Sequence, residues 1–301
     1  MSVLAIVVAL LLEQWRPLAE RKSVAAALGG VAASLEHSFN GGERGHGAVA
    51  WLVIVLPAVA ATILLHALLY AASPLLALAF NVASLYLTLG FRQFSHHFTQ
   101  IQLALKAGEL DRARAELEAW RGASGVVRSR EELIRLTIEQ ALLASHRHVF
   151  GVLLWFVILP GPGGAVLYRL AAYFAARWKG TGPFGEFAQR AFHLLEWPAV
   201  RLTAASFAVV GDFEDAVYCW RTQARSWPDP DVGVVLAAGA GAMGVRLGMP
   251  VQEAEGVQPR PELGLGEGAD GPFLDSTVGL VWRALVVWVF ALIVIGVARL
   301  L

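Results

Sequence analysis

Two carboxylates stand where an ionised side chain is costly. Glu139 lies on a helix leading into the apolar run that starts at Val149, and Glu196 precedes Trp197 in the stretch LLEWPAVRL. At a membrane boundary such a group either serves a site or sits in a plain ion pair, for which Arg135 and Arg201 are the partners at hand. The histidines cluster as His96-His97 and His146-Arg147-His148. A helix advances about 100° per residue, so His146 and His148 point to nearly opposite sides and share a metal only if a third element joins them. They read as interface or core side chains. Gly239-Ala240-Gly241-Ala242-Met243-Gly244 satisfies GxGxxG, whose glycines let a backbone approach a pyrophosphate, but that motif needs alternating strands and helices around it. No such alternation is visible, and small residues spaced for close helix packing account for the string better. The one cysteine, Cys219, excludes an intrachain disulfide and a CxxC zinc site, and reads as a small buried residue.

The elements that must position these groups are made mostly of apolar residues. The 301 residues are 56% hydrophobic and 16% charged, with a mean hydropathy of +0.56, which is too apolar for a soluble domain of this size. The lipid bilayer is the expected solvent. A formal charge of +0, from 24 basic and 24 acidic residues, gives no electrostatic ground for binding nucleic acid. The stretch Ser2 to Leu12 is apolar without a basic lead, and Glu13 and Trp15 replace the small residues of a cleavage site, so it is expected to stay on the protein.

A first span is expected from Ala48 to Ala72, kinked at Pro57, since a helix needs roughly 20 apolar residues to cross. Ser73-Pro74 breaks it, and Leu75 to Phe91 returns as the second arm of a hairpin. Val278 to Ala298 is a further span, with Trp282 and Trp288 towards its amino-terminal side and Arg283 snorkelling. Val149 to Ala176 holds two short apolar stretches separated by Pro160-Gly161-Pro162-Gly163-Gly164, which reads as a broken or re-entrant helix or as a kinked span. Irregular backbone at membrane depth is tolerated where protein or a water-filled cavity satisfies it, so a break there points towards a site. Arg16, Arg21, Lys22 and Arg44, with nine more basic residues between Arg92 and Arg147, flank the hairpin on one side. Its tip has none. The basic side is therefore expected to be cytoplasmic, in a bacterial inner membrane.

That cytoplasmic segment, 92–148, should be helical. Leu110, Ala113, Leu117 and Trp120 share one face of an amphipathic helix, with Arg112 and Glu116 on another. Gly122 to Val126 is the turn, and Ser129 with Glu132 forms a capping box opening the next helix. Residues 186–220 read as one or two helices, and 226–276 as a Gly- and Pro-rich segment with one helix near 234–247. The whole is an all-α, polytopic helical integral membrane protein, organised as a single domain over 1–301.

Asp229-Pro230-Asp231-Val232-Gly233 followed by VVLAAGAGAMGVRLGM resembles the CobD/CbiB family of cobalamin-biosynthesis membrane proteins. That family carries a serine-proline-asparagine-x-glycine element, then a small-residue helix ending in glycine, valine, arginine, leucine and two glycines. GELDRARAEL and Arg201-Leu202-Thr203-Ala204 extend the resemblance in weaker form over most of the chain. It implies adenosylcobinamide-phosphate synthase activity, an ATP- and magnesium-dependent amide bond between adenosylcobyric acid and an aminopropanol-type amine. A corrinoid or nucleotide ligand would then meet the polar positions that survive here, Arg201, Asp231 and Arg246, with Glu196 and Glu139 beside them.

Departures fall where that chemistry should be. The family's aspartate-proline-histidine-proline stretch reads Gln14-Trp15-Arg16-Pro17, and its glycine-arginine-aspartate-threonine motif reads Arg121-Gly122-Ala123-Ser124. Asparagines of the family become Glu196 and Asp231, and a glutamate becomes Leu236. These changes leave few groups to hold magnesium or polarise an acyl phosphate. The segment EQALLASHRHVFGVLLWFVILPGPGGAVLYRL and the acid-tryptophan pair Glu196-Trp197 are similar to AmpE, a related membrane protein linked to β-lactamase regulation. Two functions are thus expected to compete, a corrinoid amide synthase and a regulator or sensor without turnover. A transporter is a weaker third, permitted by the broken helix but unsupported by any inverted repeat.

Overall fold

The computed structural model describes residues 2–15, 29–34, 36, 44–122, 127, 129–253 and 256–298. Arg16, Pro17, Arg21, Lys22, the turn residues Ala123 to Val126 and Arg128 lie outside them. In chain order the helices are α1 (Ser2–Trp15), α2 (Arg44–Ala72), α3 (Pro74–Thr88), α4 (Phe91–Ala107), α5 (Leu110–Arg121) and α6 (Arg130–Ser145). A π turn, His146–Phe150, leads into α7 (Gly151–Ile158), and α8 (Gly163–Arg177), α9 (Pro183–Val210) and α10 (Phe213–Gln223) follow. After a 3-10 turn, Ala224–Ser226, come α11 (Pro230–Met243), four short strands β1 (Leu247–Gly248), β2 (Val251–Glu253), β3 (Gly256–Gln258) and β4 (Glu262–Leu263), and finally α12 (Gly271–Ala298).

The protein is all-α and membrane-embedded in character. Among the described residues three helical runs are long and apolar enough to cross a bilayer: Gly45–Ala72, Arg130–Ile158 and Gly271–Ala298. The first exposes Leu52, Leu56, Leu64 and Leu68, and the last exposes Val286, Phe290 and Val294, surfaces that water would not tolerate in such continuity. The middle run is different, because 67% of its most apolar stretch is buried within the protein. It is a core helix that the sequence pattern split near residue 149. The helix over the expected return arm, α3, is 15 residues long. It opens on Ser73, whose hydroxyl accepts from the Leu75 amide at 3.3 Å, with Pro74 in the first helical position where its missing N–H costs nothing.

The chain divides into two compact units, Met1–Leu89 with Gly151–Trp197, and Gly90–Phe150 with Pro198–Leu301. In the first, Trp51, Val55 and Val59 of α2 pack with Ala171 and Phe174 of α8, with Trp178 just past its end, and with Phe184 and Ala188 of α9. Phe174, Trp178 and Phe184 stack in sequence at 4.7 and 5.0 Å between centroids. The break between α7 and α8 is the expected Pro-Gly stretch. A Cβ on Gly164 would lie 1.8 Å from the Trp155 carbonyl oxygen, so only glycine lets the chain fold back this tightly.

The second unit is built around α6, whose Leu133, Leu136, Ile138, Ala141 and Leu142 are buried, and around α11, buried along nearly its whole length. The Ser129 hydroxyl accepts from the Glu132 amide at 3.0 Å, the cap that the sequence predicts. The GxGxxG string is the end of α11 and serves packing: a Cβ on Gly241 would lie 2.4 Å from the Asp215 carbonyl oxygen of α10. Antiparallel β1 and β4 pair Leu247 with Leu263, and β2 and β3 pair Val251 with Gln258.

Candidate functional site

The second unit holds most of the residues that the sequence marks. α11 starts on Asp229, whose Oδ1 accepts from the amides of Asp231 and Val232 at 3.0 and 3.4 Å, with Pro230 next. This cap fixes Asp231 in the first turn, 2% exposed, where a carboxylate is favoured by the helix dipole. Arg201, in α9, brings its Nη1 to 3.6 Å from Asp231 Oδ1 while a third of its side chain stays open to the surroundings. A partly open guanidinium beside a buried carboxylate is an arrangement of the kind that binds a carboxylate or phosphate group.

Glu139 is spent differently. Its Oε1 accepts from the Gly248 amide at 2.9 Å and its Oε2 from Arg260 Nη1 at 2.9 Å. Arg260 also donates from Nε to the Met249 carbonyl at 3.2 Å and from Nη2 to the Gly248 carbonyl at 3.4 Å, and its guanidinium lies 5.1 Å from the Trp227 ring. Arg135 Nη1 donates to the same Met249 carbonyl at 3.3 Å. Met249 itself sits at φ +68, a left-handed conformation that costs a side-chain-bearing residue about 1–2 kcal/mol. Two arginines on one carbonyl hold it there. Beside this knot lies a cavity of about 400 Å³ lined by Glu131, Glu132, Arg135, Met249, Pro250 and Val257, within the range of small-ligand sites.

The remaining candidates separate. Arg246 faces Glu262 at 3.5 Å, with both side chains nearly half exposed. Glu196 is buried in the part of α9 that belongs to the first unit. His146 is fully buried in the π turn, with Nδ1 2.9 Å from Thr203 Oγ1. The threonine hydroxyl is itself donated to the Ala199 carbonyl at 2.9 Å, so the imidazole is the donor at Nδ1. Burial pushes the Cys219 thiol up to about 11, with nearby Asp215 adding to the shift.

Among the described residues no group of three His, Cys, Asp or Glu converges as a metal site. Of the buried carboxylates in this unit, both Glu139 oxygens already accept from N–H groups, and Asp231 faces a guanidinium. Arg260 and Trp227 are the site residues that sequence reading missed. The only signal was an arginine between two prolines, Pro259-Arg260-Pro261, in a Gly- and Pro-rich stretch.

Comparison with known proteins agrees over nearly the full length. Residues 4–295 match the sequence model of the family described as "CobD/Cbib protein". The chain is similar to the "Cobalamin biosynthesis protein CobD" of Stutzerimonas stutzeri, 34% identical over 302 residues that cover 97% of this chain and 98% of the relative. It is 38% identical over 221 residues to the protein of the same name from Chromobacterium violaceum, covering 71% and 70% of the two chains. The match to the Mycobacterium tuberculosis protein of that name is 44% over 68 residues, 23% of this chain and 22% of the relative. No solved structure matches.

Proposed function

The chain belongs to the CobD/CbiB family, and from that premise we propose that it is a membrane enzyme of cobalamin biosynthesis, joining a corrinoid acid to an aminopropanol-type amine through an amide bond. The observation that carries this reading is the full-length likeness to a relative named for cobalamin biosynthesis, with 97% of this chain covered. ATP, when bound, supplies the activation of the acid. The chain's own contribution is positioning: Arg201, held by Asp231, engages an anionic oxygen of the substrate. The helical segment 92–148 faces the cytoplasm of a bacterial inner membrane, where its basic residues belong.

A second reading is favoured by one observation, that Glu139 is fully engaged by Arg260 and Gly248. Under it the protein is a non-enzymatic membrane regulator of the AmpE type, and the ionic knot is structural. Complementation separates the two. Restored cobalamin synthesis in a strain lacking its own synthase supports the enzyme, and failure despite full membrane expression supports the regulator.

A further inference from the structure

We propose that the carboxyl-terminal half of α9 is immersed in the bilayer with its exposed face against lipid acyl chains, a membrane contact beyond the three long apolar runs. The anchor is a hydrogen bond. Trp288 Nε1 donates to Ser206 Oγ at 2.6 Å, and Phe150 packs against both Trp288 and Phe207, at 5.6 and 5.9 Å between centroids. Trp288 lies ten residues beyond Val278 on α12, which is about 15 Å along the axis and near the middle of a hydrocarbon layer roughly 30 Å thick. Ser206 and its neighbours on α9 share that depth.

At that depth both helices expose apolar side chains. On α12, Val286 and Phe290 are 62% and 66% exposed; on α9, Leu202 and Val209 are 45% and 63% exposed. Further back on the same helix Leu194 and Trp197 are exposed too, after the polar Gln189, Arg190 and His193. Average hydropathy hides this because the helix also carries Glu196 and Arg201. Glu196 is buried, and Arg201 pairs with the buried Asp231. The buried His146–Thr203 hydrogen bond lies one turn from the Phe150–Phe207 contact.

Spin labels on cysteines test this in the full chain, in proteoliposomes and in a Cys219→Ala background. Leu202→Cys and Val209→Cys are compared with Phe290→Cys on the spanning helix and with Ala115→Cys on the exposed side of polar α5. At Leu202→Cys and Val209→Cys, relaxation by oxygen should exceed relaxation by a water-soluble nickel chelate, as at Phe290→Cys, and the order should reverse at Ala115→Cys. Nickel-dominated relaxation at both α9 positions would overturn the proposal. Exclusion of both reagents would overturn it as well, because the face would then be covered by protein.

Discussion

Replacing Glu139 by leucine leaves Arg260, 11% exposed, without the carboxylate 2.9 Å away, and orphans the Gly248 amide. Removing one partner of a buried ion pair costs about 3–5 kcal/mol, most of it the burial of an uncompensated charge. At about 2–4 °C per kcal/mol, thermal unfolding of the detergent-solubilised protein should fall by about 6–20 °C. Arg260→Leu should act comparably, since it strips both the Glu139 partner and one of the two arginines holding the Met249 carbonyl. The informative variant is the double. Glu139→Leu with Arg260→Leu removes both charges, and what remains is an unsatisfied Gly248 amide at about 1–3 kcal/mol and the loss of one hold on Met249. The double variant should therefore melt higher than either single one, with a coupling energy of a few kcal/mol in the mutant cycle. Additive single effects, or a double variant less stable than both singles, would refute the view that charge compensation holds the 247–263 segment onto α6.

Three other expectations follow from the same geometry. Arg201→Ala should abolish complementation more completely than Arg112→Ala, because Arg112 meets Glu109 and Gln100 on an exposed face; equal loss would remove Arg201 from the site. Gly241→Ala, with its new methyl carbon 2.4 Å from a backbone oxygen, should lose about 1–3 kcal/mol or more, read as a lower melting temperature at unchanged expression. Burial raises the Cys219 thiol from its ordinary value of 9.0 to about 11, so its contribution to stability is full below pH 9 and is lost as pH rises towards 11. Melting measured across that window should fall more steeply for the wild type than for Cys219→Ala.

Much of the frame is legible because it rests on local signals. The spans near 48–72 and 278–298 announce themselves by length of apolar run, Ser73-Pro74 and the Pro160–Gly164 stretch by backbone chemistry, and the start of α6 by its capping box. What stays hidden is paired across distance. Glu139 finds its cation 121 positions away, whereas the sequence offers Arg135 one turn earlier. Strands of two or three residues carry no periodicity to read, so β1 to β4 vanish into a Gly- and Pro-rich stretch. The continuous run Arg130–Ile158 is split by eye because its first half mixes charge with leucine, and only burial of Arg135 and Glu139 inside the protein makes that mixture tolerable. Of the five candidate ligand residues, Arg201 and Asp231 come together, while Arg246, Glu196 and Glu139 take other partners or other places.

The interleaving of the two compact units bears on how such a protein is made. The backbone leaves one unit at residue 89, returns at 151, and leaves again at 197. Neither unit is therefore complete in any contiguous stretch of translation product. When α6 leaves the ribosome its buried carboxylate must wait for residue 260, so a truncated transcript yields an unneutralised acid in an apolar setting rather than a smaller working protein. Fragments 1–150 and 151–301 each carry parts of both units, so neither contains a whole one.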